Sequence, residues 1–363
     1  MINTDEAQQI YRACTRFLTH HYPRTPQQIL KELAETTDPA LQADRYGQGE
    51  VINRFEAEVA ALLGKEAAVF MPSGTMCQQI ALRIWSERRG TPNVVFHPQS
   101  HLENHEQKAY ERLHGLHSIL VGSPDKLLTL EDLNAVVEPI GALLLELPQR
   151  EIGGQLPTWE ALNEMIGWAH QRNIPTHMDG ARLWESQPFY KRTYAEIAGL
   201  FDTVYVSFYK ILDGIAGSIL AGPADVIAEA RIWQRRHGGN LIHLYPFVLS
   251  AQQGLREKLS RMEAYYAKAK EIAALLAPFP QIEIVPNPPH TNMMHIFLRG
   301  EYEKLQDAAL EIAKETRVKL FSWLAPTFLP AYQKFEMVVG DATLDLTNEE
   351  IVGLFHMLFE KAA

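Results

Sequence analysis

Two stretches of the chain place reactive side chains directly after an apolar run. The run 174–178 is followed by Asp179 and, three positions later, by Arg182. Lys210 comes just after the apolar run 203–208. A lysine at the end of a buried strand loses solvation, so its pKa falls and its amine becomes a nucleophile. The ordinary alternative is a common Asp-Gly turn and a lysine that extends its amine to solvent.

A third stretch, PSGTM at 72–76, leads from an apolar run into a helical pattern. Free backbone N–H groups at a helix N-terminus attract anions. Together with the hydroxyls of Ser73 and Thr75 and the small Gly74, they predict a phosphate site. A serine or threonine that caps a helix after a turn would leave the same pattern.

In a parallel sheet these stretches would meet, because parallel strands end at the same edge. Asp179 and Lys210 lie about one helix-and-strand unit apart in the chain. An anion cradle, an amine and a carboxylate are the parts needed to hold pyridoxal phosphate. The phosphate would lie on the helix N-terminus, the aldehyde would condense with Lys210, and Asp179 would keep the ring nitrogen protonated. Together the stretches favour a cofactor site.

The elements that position these residues follow from the pattern of apolar runs. Short apolar runs alternate with helical stretches such as 158–172, which is typical of an α/β protein with a mostly parallel sheet. The predicted strands lie at 67–71, 93–97, 117–122, 141–147, 174–178, 203–208 and 217–222.

The pattern changes after about residue 245, where one long helix is predicted over 249–280. The C-terminal part then predicts a smaller α+β domain, with strands near 282–286 and 293–298 and helices near 301–316 and 347–361. Near the other end, Thr25 before Pro26, with Gln28 three residues later, predicts a capped helix. We predict three parts: an N-terminal helical segment (1–45) packing on the small domain, a large α/β domain (46–245) and the small domain (246–363).

Composition narrows the class of protein. The chain has 363 residues, 46% of them hydrophobic and 21% charged, which is typical of a globular protein with more than one core. A formal charge of −10 argues against a surface for nucleic acid or anionic membrane. Cys14 and Cys77 form no disulfide framework, and neither a signal sequence nor a membrane-length apolar run is seen. These features predict a cytoplasmic enzyme.

Three longer stretches carry a resemblance to a known family. They are YGQGEVINRFEAEVAALLGKEAAVFMPSGTM, HMDGARLWE and KILDGIAGSILAG, in that order along the chain. The sequence resembles a divergent member of the threonine aldolase and β-eliminating lyase family of fold-type I pyridoxal-phosphate enzymes, over about residues 45–360. The resemblance implies the transferase-like fold of these enzymes and active sites at the interface of a homodimer or homotetramer.

The resemblance also implies roles for individual residues. Lys210 would be the lysine that forms the Schiff base, and Asp179 the partner of the pyridine nitrogen. Arg182 would bind the substrate carboxylate or brace the cofactor, and His101 would stack on the pyridine face. The implied phosphate ligands are Ser73, Gly74 and Thr75.

The sequence departs from the family pattern in several places. The usual Arg-Ser-Asp-Thr opening is missing, and Tyr209 stands where a serine usually precedes the lysine, which makes Ser207 the candidate for that phosphate contact. In familiar aldolases, an arginine in the corresponding region binds the substrate carboxylate. The segment 334–350 of this chain contains no arginine. Arg150, in the loop 145–157, is our hypothesis for the missing positive charge.

The implied reaction is cleavage of a β-hydroxy-α-amino acid, such as threonine or allo-threonine, to glycine and an aldehyde. Lys210 and His101 are the catalytic candidates, and the base that takes the hydroxyl proton is either His101 or a water. β-Elimination, racemisation or transamination of another small amino acid would use the same lysine and aspartate, so these reactions stay open.

Two other classes of protein are compatible with parts of the sequence. His101 and His105 stand at i and i+4, as in a metal-dependent hydrolase, but Leu102 occupies the position where the metalloprotease motif needs glutamate. A non-catalytic binding module would keep the fold without the chemistry, yet a buried lysine and aspartate are costly without partners. The basic cluster 231–240 and the apolar segment 240–249 could contact another subunit or belong to a solvated face and the core.

Overall fold

The computed structural model describes residues 4–363. The helices begin and end where caps, glycines and amphipathic spacing direct them, and the predicted capping box of Thr25 and Gln28 is confirmed. The α-helices are α1 (Thr4–Arg12), α2 (Pro26–Thr36), α3 (Glu50–Leu62), α4 (Gly74–Arg89), α5 (His101–Asn104), α6 (Ala109–His114), α7 (Leu130–Asn134), α8 (Trp159–Gln171), α9 (Gln187–Tyr190), α10 (Tyr194–Gly199), α11 (Ala224–Arg236), α12 (Tyr245–Lys258), α13 (Met262–Leu276), α14 (Tyr302–Thr316), α15 (Asp341–Leu344) and α16 (Asn348–Lys361).

Short 3₁₀ helices add three turns, at Arg150–Ile152, Leu183–Ser186 and Leu259–Arg261. The strands are β1 (Arg16–Phe17), β2 (Ala67–Met71), β3 (Asn93–Phe96), β4 (His117–Leu120), β5 (Ala142–Glu146), β6 (Thr176–Gly180), β7 (Thr203–Ser207), β8 (Ser218–Gly222), β9 (Ile282–Val285), β10 (Met293–Arg299), β11 (Val318–Lys319), β12 (Ala325–Pro326) and β13 (Tyr332–Val338). Within residues 4–363, no helix is long and apolar enough to cross a membrane.

The larger sheet has seven strands in the order β2-β8-β7-β6-β5-β3-β4. Strands β4, β3, β5, β6 and β7 pair in parallel, and β8 runs antiparallel to both of its neighbours. The predicted mostly parallel central sheet is therefore confirmed. Its inner strands are buried on both faces, as expected when helices cover a sheet, whereas the edge strand β4 is partly exposed.

One strand is longer at its end than predicted. The run 174–178 predicts that the strand ends before Asp179, with a turn at Asp179 and Gly180 as the ordinary alternative, but β6 extends through Gly180. Asp179 is in register with Glu146 and Tyr205, and Gly180 is in register with Val206. The turn does not form because this ladder pairing keeps Asp179 and Gly180 extended.

Helix α4 packs on the large sheet and carries the PSGTM stretch at its N-terminus. Its apolar face meets β2, β8 and α11 in a fully buried cluster. Because the helix is held along its length, its N-terminus is fixed at the sheet edge. The buried members of this cluster are Val69, Met71, Cys77, Ile80, Ala81, Ile84, Tyr205, Leu220, Val226, Ile227 and Ala230.

The chain forms two compact units, which divide after Arg24 and after Ser260. The unit Thr25–Ser260 holds the seven-stranded sheet. The other unit combines the described residues up to Arg24 with Arg261–Ala363, and contains the antiparallel sheet β12-β13-β10-β9 and the pair β1-β11. The sequence pattern instead predicts divisions after residues 45 and 245. They differ because α2 and α3 pack on α12, which keeps all three helices in the larger unit.

The single long helix expected over 249–280 is wrong. Helices α12 and α13 are separated by the 3₁₀ turn Leu259–Arg261, at the division between the units. Helix α12 packs on α2 and α3, whereas α13 packs on α15, α16 and β10. The helical pattern continues through the turn in sequence, but each half buries its apolar face in a different unit.

Candidate active site

Three neighbouring strands bring acidic and aromatic side chains to the carboxyl edge of the large sheet. The register aligns Glu146 at the end of β5, Asp179 near the end of β6 and Tyr205 on β7. Strand β7 ends at Ser207, three residues before Lys210. The sheet thus brings the Asp179 and Lys210 stretches to one edge.

The N-terminus of α4 presents an unused hydroxyl beside free backbone N–H groups. Ser73 is the N-cap residue in extended conformation, with φ −140° and ψ 138°, and its side chain makes no capping hydrogen bond. Gly74 is buried, and a Cβ there would overlap the Tyr205 hydroxyl. Simple capping therefore does not account for Ser73, and the helix approaches Tyr205 only because residue 74 has no side chain.

We predict that Gly74→Ala displaces either Tyr205 or the first turn of α4. Overpacking of this kind typically lowers the free energy of unfolding by about 1–3 kcal/mol. Gly167→Ala is the matched control, because a Cβ at this position in α8 meets nothing within 4 Å. Denaturant unfolding of both variants checks the prediction, and equal stability of the two would contradict it.

The Asp179 carboxylate is buried, and a cationic partner would stabilise its charged form. The residue is 1% exposed, and its Oδ1 accepts a hydrogen bond of 3.1 Å from the Ala181 N–H. Burial raises the pKa of Asp179 and the nearby Glu106 carboxylate raises it further, while His101 acts in the opposite direction. A cationic ring N–H placed against this carboxylate would offset its desolvation. The residues therefore fit the pyridinium of pyridoxal phosphate.

A buried chain of hydrogen bonds lies behind Asp179 on the same strand. Burial lowers the pKa of His177 to about 3, so its ring is neutral. Since the Gln78 Oε1 can only accept, His177 Nε2–H donates to it over 2.8 Å, and Nδ1 accepts from the Thr203 hydroxyl over 2.9 Å. Trp85 Nε1–H in turn donates to the Thr203 oxygen. These hydrogen bonds hold the Gln78 side chain in place, and Gln78 lowers the pKa of Asp179.

Lys210 is half-buried just beyond β7, with its Nζ 5.2 Å from the centroid of the Tyr209 ring. Tyr209, which stands where the family has serine, places its hydroxyl 3.2 Å from that of Tyr205. The Ser207 hydroxyl donates to the Ala181 carbonyl over 2.7 Å. Ser207 thus ties the lysine segment to the loop after Asp179, and its phosphate contact stays a prediction.

Glu185 was not recognised from the sequence, although it lies close to two of the predicted residues. Its side chain is buried, and burial raises its pKa to about 8, while the charges of Arg182 and Lys210 act to lower it. Both cations are half-buried. A glutamate in the polar stretch after Trp184 reads as solvent-exposed, so no sequence signal pointed to it.

Glu146, also unrecognised, joins the segments of His101 and Arg150. Its Oε2 accepts from the His101 backbone N–H over 3.2 Å, and its Oε1 accepts from the Arg150 N–H over 3.1 Å. Burial and the adjacent Asp179 raise the pKa of Glu146 to about 8. The Arg150 guanidinium itself donates to Glu151 over 2.7 Å. The structure therefore brings His101 and Arg150 together with the Asp179 strand.

The two histidines considered as metal ligands each face a carboxylate. His101 Nδ1 lies 3.0 Å from Glu106 Oε1, and His105 Nε2 lies 2.8 Å from Glu151 Oε1. Their ring centroids are 5.1 Å apart. Over residues 4–363 no group of three histidine, cysteine, aspartate or glutamate side chains is placed to hold a metal ion.

Comparison with known proteins decides the family. Residues 35–301 match the β-eliminating lyase family. The chain belongs to this family. Its members depend on pyridoxal phosphate, so the predicted cofactor and the predicted resemblance are confirmed.

Individual relatives agree with this assignment. A Listeria monocytogenes crystal structure to which L-allo-threonine aldolase activity is ascribed is 41% identical, covers 99% of both chains and superposes with a TM-score of 0.94. A low-specificity L-threonine aldolase of Arabidopsis thaliana is 26% identical over 69% of this chain and 73% of its own. An alanine racemase of Cochliobolus carbonum is 28% identical over 63% of this chain and 56% of its own.

Curated relatives of this β-eliminating lyase family protein are matched over only part of their length, from 54% to 74%. The match over the whole Listeria structure, by contrast, confirms the fold-type I architecture predicted from the sequence. The family therefore accounts for the fold and the cofactor.

Proposed function

We propose that this protein is a pyridoxal-phosphate-dependent aldolase that cleaves a β-hydroxy-α-amino acid, threonine or allo-threonine, to glycine and an aldehyde. The observation that carries the proposal is the buried Asp179 carboxylate at the sheet edge that also bears the Lys210 segment. Full-length similarity to a structure with ascribed L-allo-threonine aldolase activity supports this substrate class.

The residues that would hold the cofactor follow from the donors at this edge. The N-terminus of α4, with Ser73, Gly74 and Thr75, would bind the phosphate, since free N–H groups and a free hydroxyl favour an anion there. Asp179 would accept the hydrogen bond of the protonated ring nitrogen. His101 would lie against the ring face. When bound, the cofactor supplies an electron sink for the pair released as the Cα–Cβ bond breaks.

The remaining steps belong to side chains of this chain. The Lys210 amine would hold the cofactor between turnovers and accept or return a proton when a substrate amine replaces it. Arg182 would bind the substrate carboxylate through its planar guanidinium. The buried Glu185 lies near Arg182 and Lys210, whose charges favour its ionised form against the effect of burial. His101 or a water would take the proton from the β-hydroxyl.

Aldehyde release tests the proposal. The holoenzyme is incubated separately with L-threonine, L-allo-threonine, their D-forms and phenylserine, and the aldehyde produced is measured. Release from at least one of them is expected. No release from any of them would overturn the aldolase, and interconversion of L- and D-alanine would then favour a racemase, the activity of the Cochliobolus relative.

Arg150 is our candidate for the second carboxylate-binding cation. We predict that Arg150→Ala raises KM for the amino-acid substrate about tenfold, the effect of losing one charge-assisted hydrogen bond. Cofactor binding should stay intact. Arg112→Ala is the control, because this arginine is largely exposed on α6. Steady-state kinetics of the two variants check the prediction, and unchanged KM and kcat in Arg150→Ala would contradict it.

We further propose a cytoplasmic homodimer or homotetramer with active sites at the dimer interface. The apolar segment 240–249 supports an oligomer, since Leu241 and Ile242 are 40% and 45% exposed and Tyr46, which bonds to Ile242, is 53% exposed. In the basic cluster 231–240, the Arg236 guanidinium lies 4.3 Å from the Trp233 ring centroid. This contact within the helix favours the alternative that the cluster is a solvated helix face. Free, buried cysteines suit a reducing compartment. Light scattering would give the oligomeric state.

A further inference from the structure

We propose that Glu106 is a positioning residue, which holds the His101 imidazole in one tautomer and orientation for proton transfer. This inference rests on the proposed function, because it concerns the base of the same reaction. His101 is a catalytic candidate from its sequence, whereas Glu106, five residues later, stands in a polar stretch that predicts no role.

The contact between these two side chains is buried and specific. His101 Nδ1 lies 3.0 Å from Glu106 Oε1. The Glu106 side chain is 2% exposed, and that of His101 is 33% exposed. The second carboxylate oxygen of Glu106, Oε2, is buried without a hydrogen-bond partner within residues 4–363. A carboxylate buried this deeply is expensive unless a cation or a strong donor pairs with it, and the imidazole is that donor.

The turn after Glu106 has an unusual backbone conformation. Helix α5 ends at Asn104, and the next turn contains two consecutive residues in the left-handed region, Gln107 and Lys108, both with φ 54°. Such residues are unfavourable unless the surroundings hold them there, and strain of this kind often accompanies functional sites.

The charge of Glu106 acts on residues of the site, although most of those residues are far from it in sequence. Its charge acts on Asp179, on Tyr209 and on the buried Cys77. Glu106 therefore lies close both to His101 and to Asp179, which is proposed to hold the cofactor.

Charged groups on several segments of the chain act on His101. Burial lowers the pKa of His101, but the hydrogen bond to Glu106 and the charges of Asp179 and Glu146 outweigh burial, so the net shift is upward. The neighbouring ring is His105, which is itself paired with Glu151. A negative partner at Nδ1 makes His101 a stronger base than an isolated buried imidazole would be.

The hydrogen bond also decides which nitrogen can react. An ionised Glu106 accepts only, so neutral His101 carries its proton on Nδ1 and leaves the Nε2 lone pair as the acceptor. The proton of the substrate β-hydroxyl would move to Nε2 as the Cα–Cβ bond breaks, and the Nδ1–H would stay bonded to the carboxylate. Of the two candidate bases, His101 and a water, the geometry points to His101 Nε2.

Two substitutions separate the charge from the hydrogen bond. Glu106→Gln keeps an acceptor for Nδ1–H but removes the charge, and Glu106→Ala removes both. We expect kcat to fall about 100-fold in Glu106→Ala, the lower end of the range found for general acid–base contributions, and only about tenfold in Glu106→Gln, which keeps the hydrogen bond. Because the His101 pKa should drop, the acidic limb of the kcat–pH profile should move to lower pH in Glu106→Gln. Glu111→Gln, a half-exposed carboxylate on α6, is the control and should leave both quantities unchanged.

A second measurement does not depend on turnover. The His101 pKa is read by NMR titration of the histidine ring signals in wild-type and variant holoenzyme, with bound-cofactor absorbance confirming that each variant is folded and loaded. A lower His101 pKa in Glu106→Gln supports the pairing, and an unchanged pKa overturns it. If wild-type enzyme releases no aldehyde, the proposed aldolase fails, yet this titration still decides whether Glu106 pairs with His101. A shifted pKa with wild-type kcat in Glu106→Ala would overturn the positioning role.

Discussion

Replacing Lys210 with alanine is expected to reduce turnover by at least about 10³-fold, the scale seen when a covalent nucleophile is removed. Lys210 follows directly on buried strand β7 and is half-buried, close to the Tyr209 ring and to the charge of Glu185. Its amine would make the covalent bond to the cofactor aldehyde, which a methyl group cannot make. Cofactor should still bind, weakly, through its phosphate and ring nitrogen.

Visible absorbance of the loaded protein measures this effect directly. Wild-type holoenzyme should show a band that borohydride alters irreversibly, and Lys210→Ala should show bound cofactor that gel filtration removes after borohydride. Lys126→Ala, at an exposed position, is the matched control and should behave as wild type. A Lys210→Ala protein that keeps covalently trapped cofactor would show that another amine is the nucleophile.

The second large effect is expected for Asp179→Asn, which keeps the shape of the side chain but removes its charge. Turnover should fall by about 10²–10⁴-fold, because a neutral amide does not hold the ring nitrogen protonated and the electron sink weakens. Cofactor affinity should fall as well. The apoprotein, by contrast, should not lose stability, because the substitution removes a carboxylate charge whose burial is unfavourable.

The sign of the pH dependence distinguishes this account from simple damage to the fold. Because the folded-state pKa of Asp179 is raised, the folded apoprotein holds a proton that the unfolded chain releases earlier. Its contribution is therefore most favourable below the unfolded pKa and declines as pH rises towards the folded value. Asp179→Asn should flatten this decline in thermal melts of the apoprotein. Asp225→Asn, at a surface ion pair with Arg88, should not, and an equal decline in wild type and Asp179→Asn would refute the raised pKa.

Part of the site could be predicted from local sequence because its residues follow strongly apolar strands. Ser73, Asp179 and Lys210 each stand at or just beyond a strand of the large sheet, so a parallel sheet was enough to predict their meeting. The roles proposed for them are still predictions. The end of strand β6 was predicted two residues too early, because ladder pairing with β5 and β7 is invisible in an isolated stretch.

The acidic residues of the site could not be predicted in this way. Glu106 lies in the polar stretch HLENHEQK, and Glu146 and Glu185 stand next to apolar residues without any periodic pattern. Each reads locally as a solvated carboxylate. Only folding removes them from water together and raises the pKa values of Glu146 and Glu185 to about 8.

The amino-acid sequence by itself determined the α/β class, the mostly parallel sheet, the family resemblance and its cofactor, because apolar periodicity and contiguous motifs are local properties of a chain. Only the tertiary structure decided that β8 runs against its neighbours, that the helical stretch after residue 245 breaks at Leu259–Arg261, and that His101 faces a buried carboxylate. These outcomes depend on how each segment packs against the rest of the chain and loses solvent there. Pairing and desolvation of that kind are set by packing, which no local pattern records.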